Sequence, residues 1–270
     1  MVLTLGIDKI DREQLCDIME TFYKALNDYT LDRRGDVGSW VREETMQALT
    51  TFVTTMILHR EKHEAALQVV GATQPAFFER YVGALLQQLV EKIDRVREVA
   101  GRQLQIFFKT CADQVCQFAE RDELTALFTQ EQTDYVHDGG AIETHVHDAG
   151  ISYLPWRNAD FVFDQIKPFF DSSTYSLHVL KGLVTSSGGL TESTLKASSK
   201  TLFLYLSAMK DKNDQKSAFL QKLTTVFGDN LKDDRVTVPL MKTCEMLLQS
   251  DYLQENELAA DLLKIHSLCV

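Results

Sequence analysis

Residues 36–49 read DVGSWVREETMQAL, and residues 91–104 read EKIDRVREVAGRQL. Aligning the Val-Arg-Glu triplets that begin at Val41 and Val96 places the second segment 55 positions after the first. In both copies an acidic residue stands six positions before the arginine. A helical unit that recurs in this way indicates stacked repeats, and such a stack usually binds partners through its surface. The alignment also predicts that Val41 and Val96 are buried at equivalent positions.

Apolar residues at three- and four-residue spacing continue on both sides of the two segments, as amphipathic helices require. Gly and Pro are scarce, at 13 and 4, which favours long helices. No segment alternates with period two for long enough to predict a strand. The sequence therefore predicts an all-α chain of antiparallel helix pairs. We expect helical repeats over 1–128, a polar loop or insertion over 129–155, and further repeats of one continuous solenoid over 156–270.

Composition narrows the classes of function. The formal net charge of -11 argues against non-specific binding to nucleic acid or to an anionic membrane. No apolar run approaches the roughly 18 residues that a membrane span needs. Five irregularly spaced cysteines fit a reducing compartment better than a disulfide framework. The first residues lack the basic-then-apolar order of a signal peptide, so we expect a cytoplasmic protein.

Four longer motifs resemble the C-terminal region of the tubulin-folding cofactor D family, also called tubulin-specific chaperone D. The first two are DYTLDRRGDVGSWVRE at 28–43 and YSLHVLKGLVTSSGGLTESTLKASSKTLFLYL at 175–206. The other two are EKIDRVR at 91–97 and DNLKDDRVTVPLMKT at 229–243. Along the chain, the four motifs stand in the order that the family has. The resemblance extends from about residue 23 to the end of the chain.

The resemblance implies a HEAT or armadillo-like α-solenoid that belongs to a longer protein, so we expect a truncated chain. It implies a chaperone without an active site or cofactor, which assembles and dissociates the α/β-tubulin heterodimer with β-tubulin as its direct client. The resemblance implies other tubulin-folding cofactors and an Arf-like small GTPase as partners. It also implies that the cofactor complex stimulates GTP hydrolysis by tubulin and that the protein is located at the microtubule cytoskeleton. The alternative is a general α-solenoid scaffold unrelated to tubulin.

The repeated segments also supply candidate binding residues. Two arrangements stay open for the acidic residues: Asp36 reaches Arg97 of the neighbouring repeat, or each carboxylate caps its own helix. A direct pair within one helix is poor at six-residue spacing. A structural role is favoured, yet the second helix of such a pair often lines the face where partners bind. The candidate partner-binding residues are therefore Arg34, Asp36, Trp40, Arg42, Glu91 and Arg97.

Several other patterns favour structural readings. Arg34-Gly35-Asp36 spells an integrin tripeptide, but a turn at Gly35 and a helix cap at Asp36 explain it better. Trp40 lies in an apolar stripe, which favours the core over an interface anchor. The histidines favour solvated segments over a metal hydrolase; they are His59, His63, His137, His145 and His147. Five-residue spacing suits neither a zinc knuckle nor a redox pair, so Cys111 and Cys116 are assigned to the core. We predict no catalytic or metal-binding residue.

Overall fold

The computed structural model describes residues 10–58, 74–111, 116–129, 154–187, 192–209 and 212–249, with residues 64, 68, 71, 136–137 and 140–141 between these stretches. These residues form ten α-helices, which we number in chain order: α1 (Arg12–Ala25), α2 (Gly38–Leu58), α3 (Pro75–Leu89), α4 (Asp94–Thr110), α5 (Arg121–Thr129), α6 (Ala159–Ile166), α7 (Ser176–Ser187), α8 (Glu192–Ala208), α9 (Asn213–Asp229) and α10 (Asp234–Leu248). Short 3-10 turns cover Leu154–Arg157 and Lys167–Phe170. The all-α prediction is confirmed.

Extended structure in the described residues is limited to two very short antiparallel ladders. The ladder of β1 (Leu31–Asp32) and β2 (Gly35–Asp36) pairs Leu31 with Asp36. The ladder of β3 (Val136–His137) and β4 (Gly140–Ala141) lies within the predicted loop 129–155, most of which falls outside the described residues. The HEAT or armadillo-like pairing of helices stays a prediction.

The chain divides into two compact units. The first contains Met1–Leu89 and Arg95–Arg157, and the second contains Val90–Asp94 and Asn158–Val270. The division into a solenoid over 1–128 and 156–270 with an insertion between them stays a prediction.

Local sequence signals explain where several helices begin. At α1 the Asp11 side chain accepts a hydrogen bond from the Gln14 backbone nitrogen at 2.9 Å, and the Gln14 side chain reaches back to the Asp11 nitrogen. This reciprocal capping satisfies two backbone donors that would otherwise lack helical acceptors. At the starts of α6 and α10, the side chains of Asn158 and Asp233 each accept a hydrogen bond from a backbone nitrogen.

An aromatic cluster forms much of the core of the first unit. Phe108 stacks on Phe128 with ring centroids 5.3 Å apart, and Phe128 packs against Trp156 at 5.1 Å. Trp156 is fully buried against α4 at Gly101, where an added Cβ would lie 2.4 Å from the indole Cγ. Glycine at this position therefore permits the close approach of the indole to the helix backbone.

Helix α7 is the central element of the second unit. It packs against α8, α9 and α10, and most of its residues are buried. Two of its buried hydroxyls are satisfied across the unit: Ser186 donates to the Val90 carbonyl oxygen, and Ser187 shares a hydrogen bond with Thr243 of α10. Because α7 has several small side chains and these buried hydroxyls are hydrogen-bonded, other helices can pack on several of its faces without burying these polar groups unsatisfied.

The predicted equivalence of Val41 and Val96 is wrong. Val41 is 42% exposed, whereas Val96 is fully buried. In α2 the inward face of the first turns carries Ser39, Arg42 and Glu43, so Val41 lies on the outward face. The same 55-residue offset nevertheless aligns buried with buried at seven positions along α2 and α4, namely 42 with 97, 45 with 100, 46 with 101, 49 with 104, 50 with 105, 52 with 107 and 53 with 108.

We expect Gly101→Ala to destabilise the first unit by about 1–3 kcal/mol, because the new methyl group overlaps the Trp156 ring. Urea denaturation followed by the fluorescence of the buried indole measures the loss. Gly228→Ala in α9 is the matched control, since no atom lies within 4 Å of its added Cβ. The control should be neutral or slightly stabilising. Equal stability of the Gly101→Ala variant and the wild type would contradict the packing.

Candidate partner-binding site

Arg42 is the buried centre of the segment 28–43. Its side chain has no exposed surface. Nη1 donates to the Asp28 carbonyl oxygen at 2.6 Å, and both terminal nitrogens pair with the Asp36 carboxylate at 3.2 Å. The guanidinium also lies over the Tyr29 ring, 4.3 Å from its centroid. A buried guanidinium requires such acceptors, because an uncompensated charge in the interior is strongly destabilising.

The turn that precedes α2 is built to supply these acceptors. Gly35 has a φ of 110°, a conformation that residues with a side chain rarely adopt, and it closes the β1–β2 hairpin. A Cβ on Gly38 would lie 2.2 Å from the Asp28 carbonyl oxygen, so only glycine lets the chain pass at this point. Asp36 accepts the Ser39 backbone N–H at 3.0 Å and so caps its own helix.

Asp36 thus follows the second arrangement that the sequence left open. It also pairs with Arg42 of its own segment, although six-residue spacing is poor for a pair within one helix. The pair forms because Asp36 belongs to β2, outside the helix, where the chain bends back toward α2.

The corresponding residues of the second copy have similar structural roles. The Glu91 carboxylate accepts the Ile93 backbone N–H at 2.8 Å and is fully buried. Arg97 is 3% exposed and donates Nη2 to the Arg157 carbonyl oxygen at 2.5 Å. Asp36 and Arg42 of the first copy are enclosed in the same way, so these four candidates contribute to the interior.

Arg34 and Trp40 are the two candidates that face solvent. Trp40 is 56% exposed, so its predicted place in the core is wrong. The Arg34 guanidinium lies 5.3 Å from the centroid of the indole ring and is paired with Asp32 at 2.6 Å. The outward face of the α2 first turn carries Trp40 because Ser39, Arg42 and Glu43 occupy the inward face.

Three further residues of this segment are exposed and were not recognised from the sequence. Leu31 is 61% exposed, and Arg33 and Val41 are exposed as well. We call this set the Trp40 surface; it consists of Leu31, Arg33, Arg34, Trp40 and Val41. It combines apolar side chains with two arginines in a chain of net charge -11. An exposed aromatic ring beside arginine is a typical anchor of protein interfaces.

Below the Trp40 surface, Glu43 joins α2 to α4. Its carboxylate is 7% exposed and pairs with the Arg95 guanidinium at 2.7 Å. Burial raises the pKa of Glu43, and the charge and hydrogen bond of Arg95 oppose this effect without cancelling it.

A profile described as "Tubulin folding cofactor D C terminal" matches residues 79–269. The chain belongs to this family. A similar curated protein is Tubulin-specific chaperone D of Dictyostelium discoideum, 23% identical over 203 residues, which cover 72% of the chain and 12% of that relative. The chain therefore spans a small part of the length of the relative that it matches, and no solved structure matches it.

The family match refines the sequence resemblance. It includes the segments 91–97, 175–206 and 229–243, whereas 28–43, which carries the Trp40 surface, precedes the matched range. Segment 175–206 contains α7, the central helix of the second unit.

Several predictions concern residues that are only partly described. His59, His63, His145 and His147 lie outside the described residues. Within the part of the chain that the structure describes, no group of three or more His, Cys, Asp or Glu side chains is placed to hold a metal ion. The helices of that part include none with the length and hydropathy of a membrane span.

We expect Arg42→Ala to lower the free energy of unfolding by about 3–5 kcal/mol, because it leaves the Asp36 carboxylate without its buried partner. Arg34→Ala removes an exposed pair and should change stability by less than about 0.5 kcal/mol. Urea titrations of both variants measure the difference. Equal effects would show that the interior pair does not hold the segment.

The raised pKa of Glu43 predicts a pH dependence. The folded state holds this proton more tightly than the unfolded state, whose carboxyl has an ordinary pKa. As the pH rises from the pKa of Glu43 in the unfolded chain through its pKa in the folded chain, ionisation of Glu43 therefore lowers the free energy of unfolding. Relative to the wild type, Glu43→Gln should gain stability between about pH 4 and pH 7. Unfolding midpoints at both pH values test this, and Glu44→Gln on the exposed side is the control.

Proposed function

We propose that this chain is part of a tubulin-folding cofactor that binds β-tubulin and assists assembly and dissociation of the α/β-tubulin heterodimer. Membership in the family and the similarity to Tubulin-specific chaperone D support this proposal. We further propose that the whole cofactor acts in the cytoplasm at the microtubule cytoskeleton, with other tubulin-folding cofactors and an Arf-like small GTPase as partners.

The proposed mechanism is differential affinity, without an active site in this chain. A surface that fits one conformation of tubulin raises the population of that conformation, by as much as the difference in binding free energy allows. Stimulation of GTP hydrolysis follows if the favoured conformation is the one in which tubulin hydrolyses its nucleotide. The catalytic groups then belong to the client, and the cofactor complex only biases them.

The exposure of the Trp40 surface supports a specific site of contact with tubulin. Trp40 stands on an anchored helical turn, because Arg42 and Glu43 of the same turns are paired in the interior. It is also flanked from above by the Arg34 guanidinium. A large aromatic ring presented by an ordered helix costs little backbone entropy on binding, so its burial yields affinity.

Charge supports an acidic client at this surface. The chain and tubulin are both acidic, so their net charges repel and cannot drive association. Arg34 places a guanidinium beside the indole, where it also pairs with Asp32, and Arg33 is a second exposed arginine of the same hairpin. Such local complementarity increases the rate of association and selects the orientation of binding.

We expect Trp40→Ala to weaken binding of the purified chain to α/β-tubulin about 30-fold, the equivalent of about 2 kcal/mol for a central aromatic anchor. Arg34→Glu should also weaken binding, and added salt should reduce this loss because it screens the new repulsion from an acidic client. Titration of fluorescently labelled tubulin measures the affinities, and unfolding curves verify the fold of each variant.

Leu204→Ala is the matched control, because Leu204 is an exposed apolar residue of α8 in the second unit, with 48% of its surface accessible. It should bind as the wild type does. If Leu204→Ala weakens binding and Trp40→Ala does not, the contact lies elsewhere on the chain. Absence of tubulin binding by the wild type would instead contradict the proposed function of this part of the cofactor and favour a general scaffold.

A further inference from the structure

The structure brings together two cysteines that their spacing in the sequence did not pair. The Sγ atoms of Cys111 and Cys116 lie 2.9 Å apart, and both residues are buried. Cys111 directly follows α4, and Cys116 precedes α5, both within the first unit. The distance exceeds the covalent S–S bond of about 2.05 Å, so the two sulfurs are in contact as free thiols. A small movement would bring them to bonding distance.

We propose that Cys111 and Cys116 form a modification site, a thiol pair that hydrogen peroxide oxidises to an intrachain disulfide. The pair is independent of the Trp40 surface and of the proposed tubulin binding. The other two cysteines of the described residues lie in different helices, Cys16 in α1 and Cys244 in α10.

The surroundings assign different roles to the two thiols. The hydrogen bond from the Cys111 thiol lowers the pKa of Cys116, the nearby Arg121 charge acts in the same direction, and burial opposes both. The same hydrogen bond and burial raise the pKa of Cys111, although the Arg121 charge acts on it in the opposite direction. Arg121 is held in place because its Nη2 donates to the Cys111 carbonyl oxygen at 2.8 Å. The direction of these shifts favours Cys116 as the thiolate that reacts first, with Cys111 as the resolving thiol.

The chemistry balances in two steps. The Cys116 thiolate attacks one oxygen of hydrogen peroxide, the O–O bond breaks, and a sulfenic acid and hydroxide form. Cys111 then attacks the sulfenic sulfur, the S–O bond breaks, and the second hydroxide leaves. With the two thiol protons the hydroxides become water, so two thiols and one peroxide yield one disulfide and two waters.

The bond would join the end of α4 to the segment that enters α5. That segment includes Phe118, whose ring packs against Phe107 and Phe108 of α4 at 5.9 Å. Since these elements are already in contact in the folded chain, the disulfide mainly restricts the unfolded chain. A closed loop this short raises the melting temperature by roughly 4 °C.

The test treats the reduced chain with hydrogen peroxide and analyses it by intact mass and peptide mapping. We expect the loss of two hydrogens, a peptide linked through Cys111 and Cys116, a melting temperature raised by roughly 4 °C, and reversal of all three by dithiothreitol. Cys16 is more accessible and serves as an internal measure of peroxide exposure.

Cys116→Ser and Cys111→Ser should form no linked peptide and show no rise in melting temperature, whereas Cys244→Ser should behave as the wild type. Phenylarsine oxide, which binds paired thiols, should block the linkage in the unmutated chain, so the conclusion does not depend on the folding of a variant. The proposal is overturned if Cys16 is fully oxidised while Cys111 and Cys116 stay reduced, or if both are converted separately to sulfinic acids.

Discussion

The buried charge of Arg42 is the constraint on which the arrangement of the segment 28–43 depends. Removing a guanidinium from water costs several kcal/mol, and this cost is offset only when charged and polar acceptors surround it. The Asp28 carbonyl and the Asp36 carboxylate supply those acceptors. They can do so only if the chain makes a tight hairpin and passes close to Asp28 at Gly38. The conformation before α2 thus follows from the needs of one side chain inside it.

The same constraint connects the interior to the surface. Because Arg42 and Glu43 must face inward, helical geometry turns Trp40 and Val41 outward in the same turns. The helical turn that presents the exposed indole is therefore held by buried polar contacts. A turn held in this way is ordered before a partner arrives, which reduces the backbone entropy lost on association.

The two units achieve close packing by small residues at specific points. Gly101 admits the Trp156 ring against the α4 backbone, and the small residues of α7 allow three helices to pack around it. Buried hydroxyls on α7 are paired with a carbonyl and with another hydroxyl, so the close packing leaves these groups satisfied. The thiol contact after α4 is a different kind of close approach, because two like groups meet and chemistry between them becomes possible.

The sequence by itself determined the all-α class, the approximate positions of the helices and the membership in the family, because helical periodicity and long motifs are local properties. It also located the repeated arginines, which are both buried. Only the tertiary structure decided that Trp40 and Val41 face solvent. Periodicity defines an apolar stripe, but it does not show that a buried arginine occupies the inward face of the first turns of α2. The contact of Cys111 with Cys116 likewise could not be read from five-residue spacing. Such residues do not meet on a continuous helix, and these two meet because α4 ends at Thr110, before both of them.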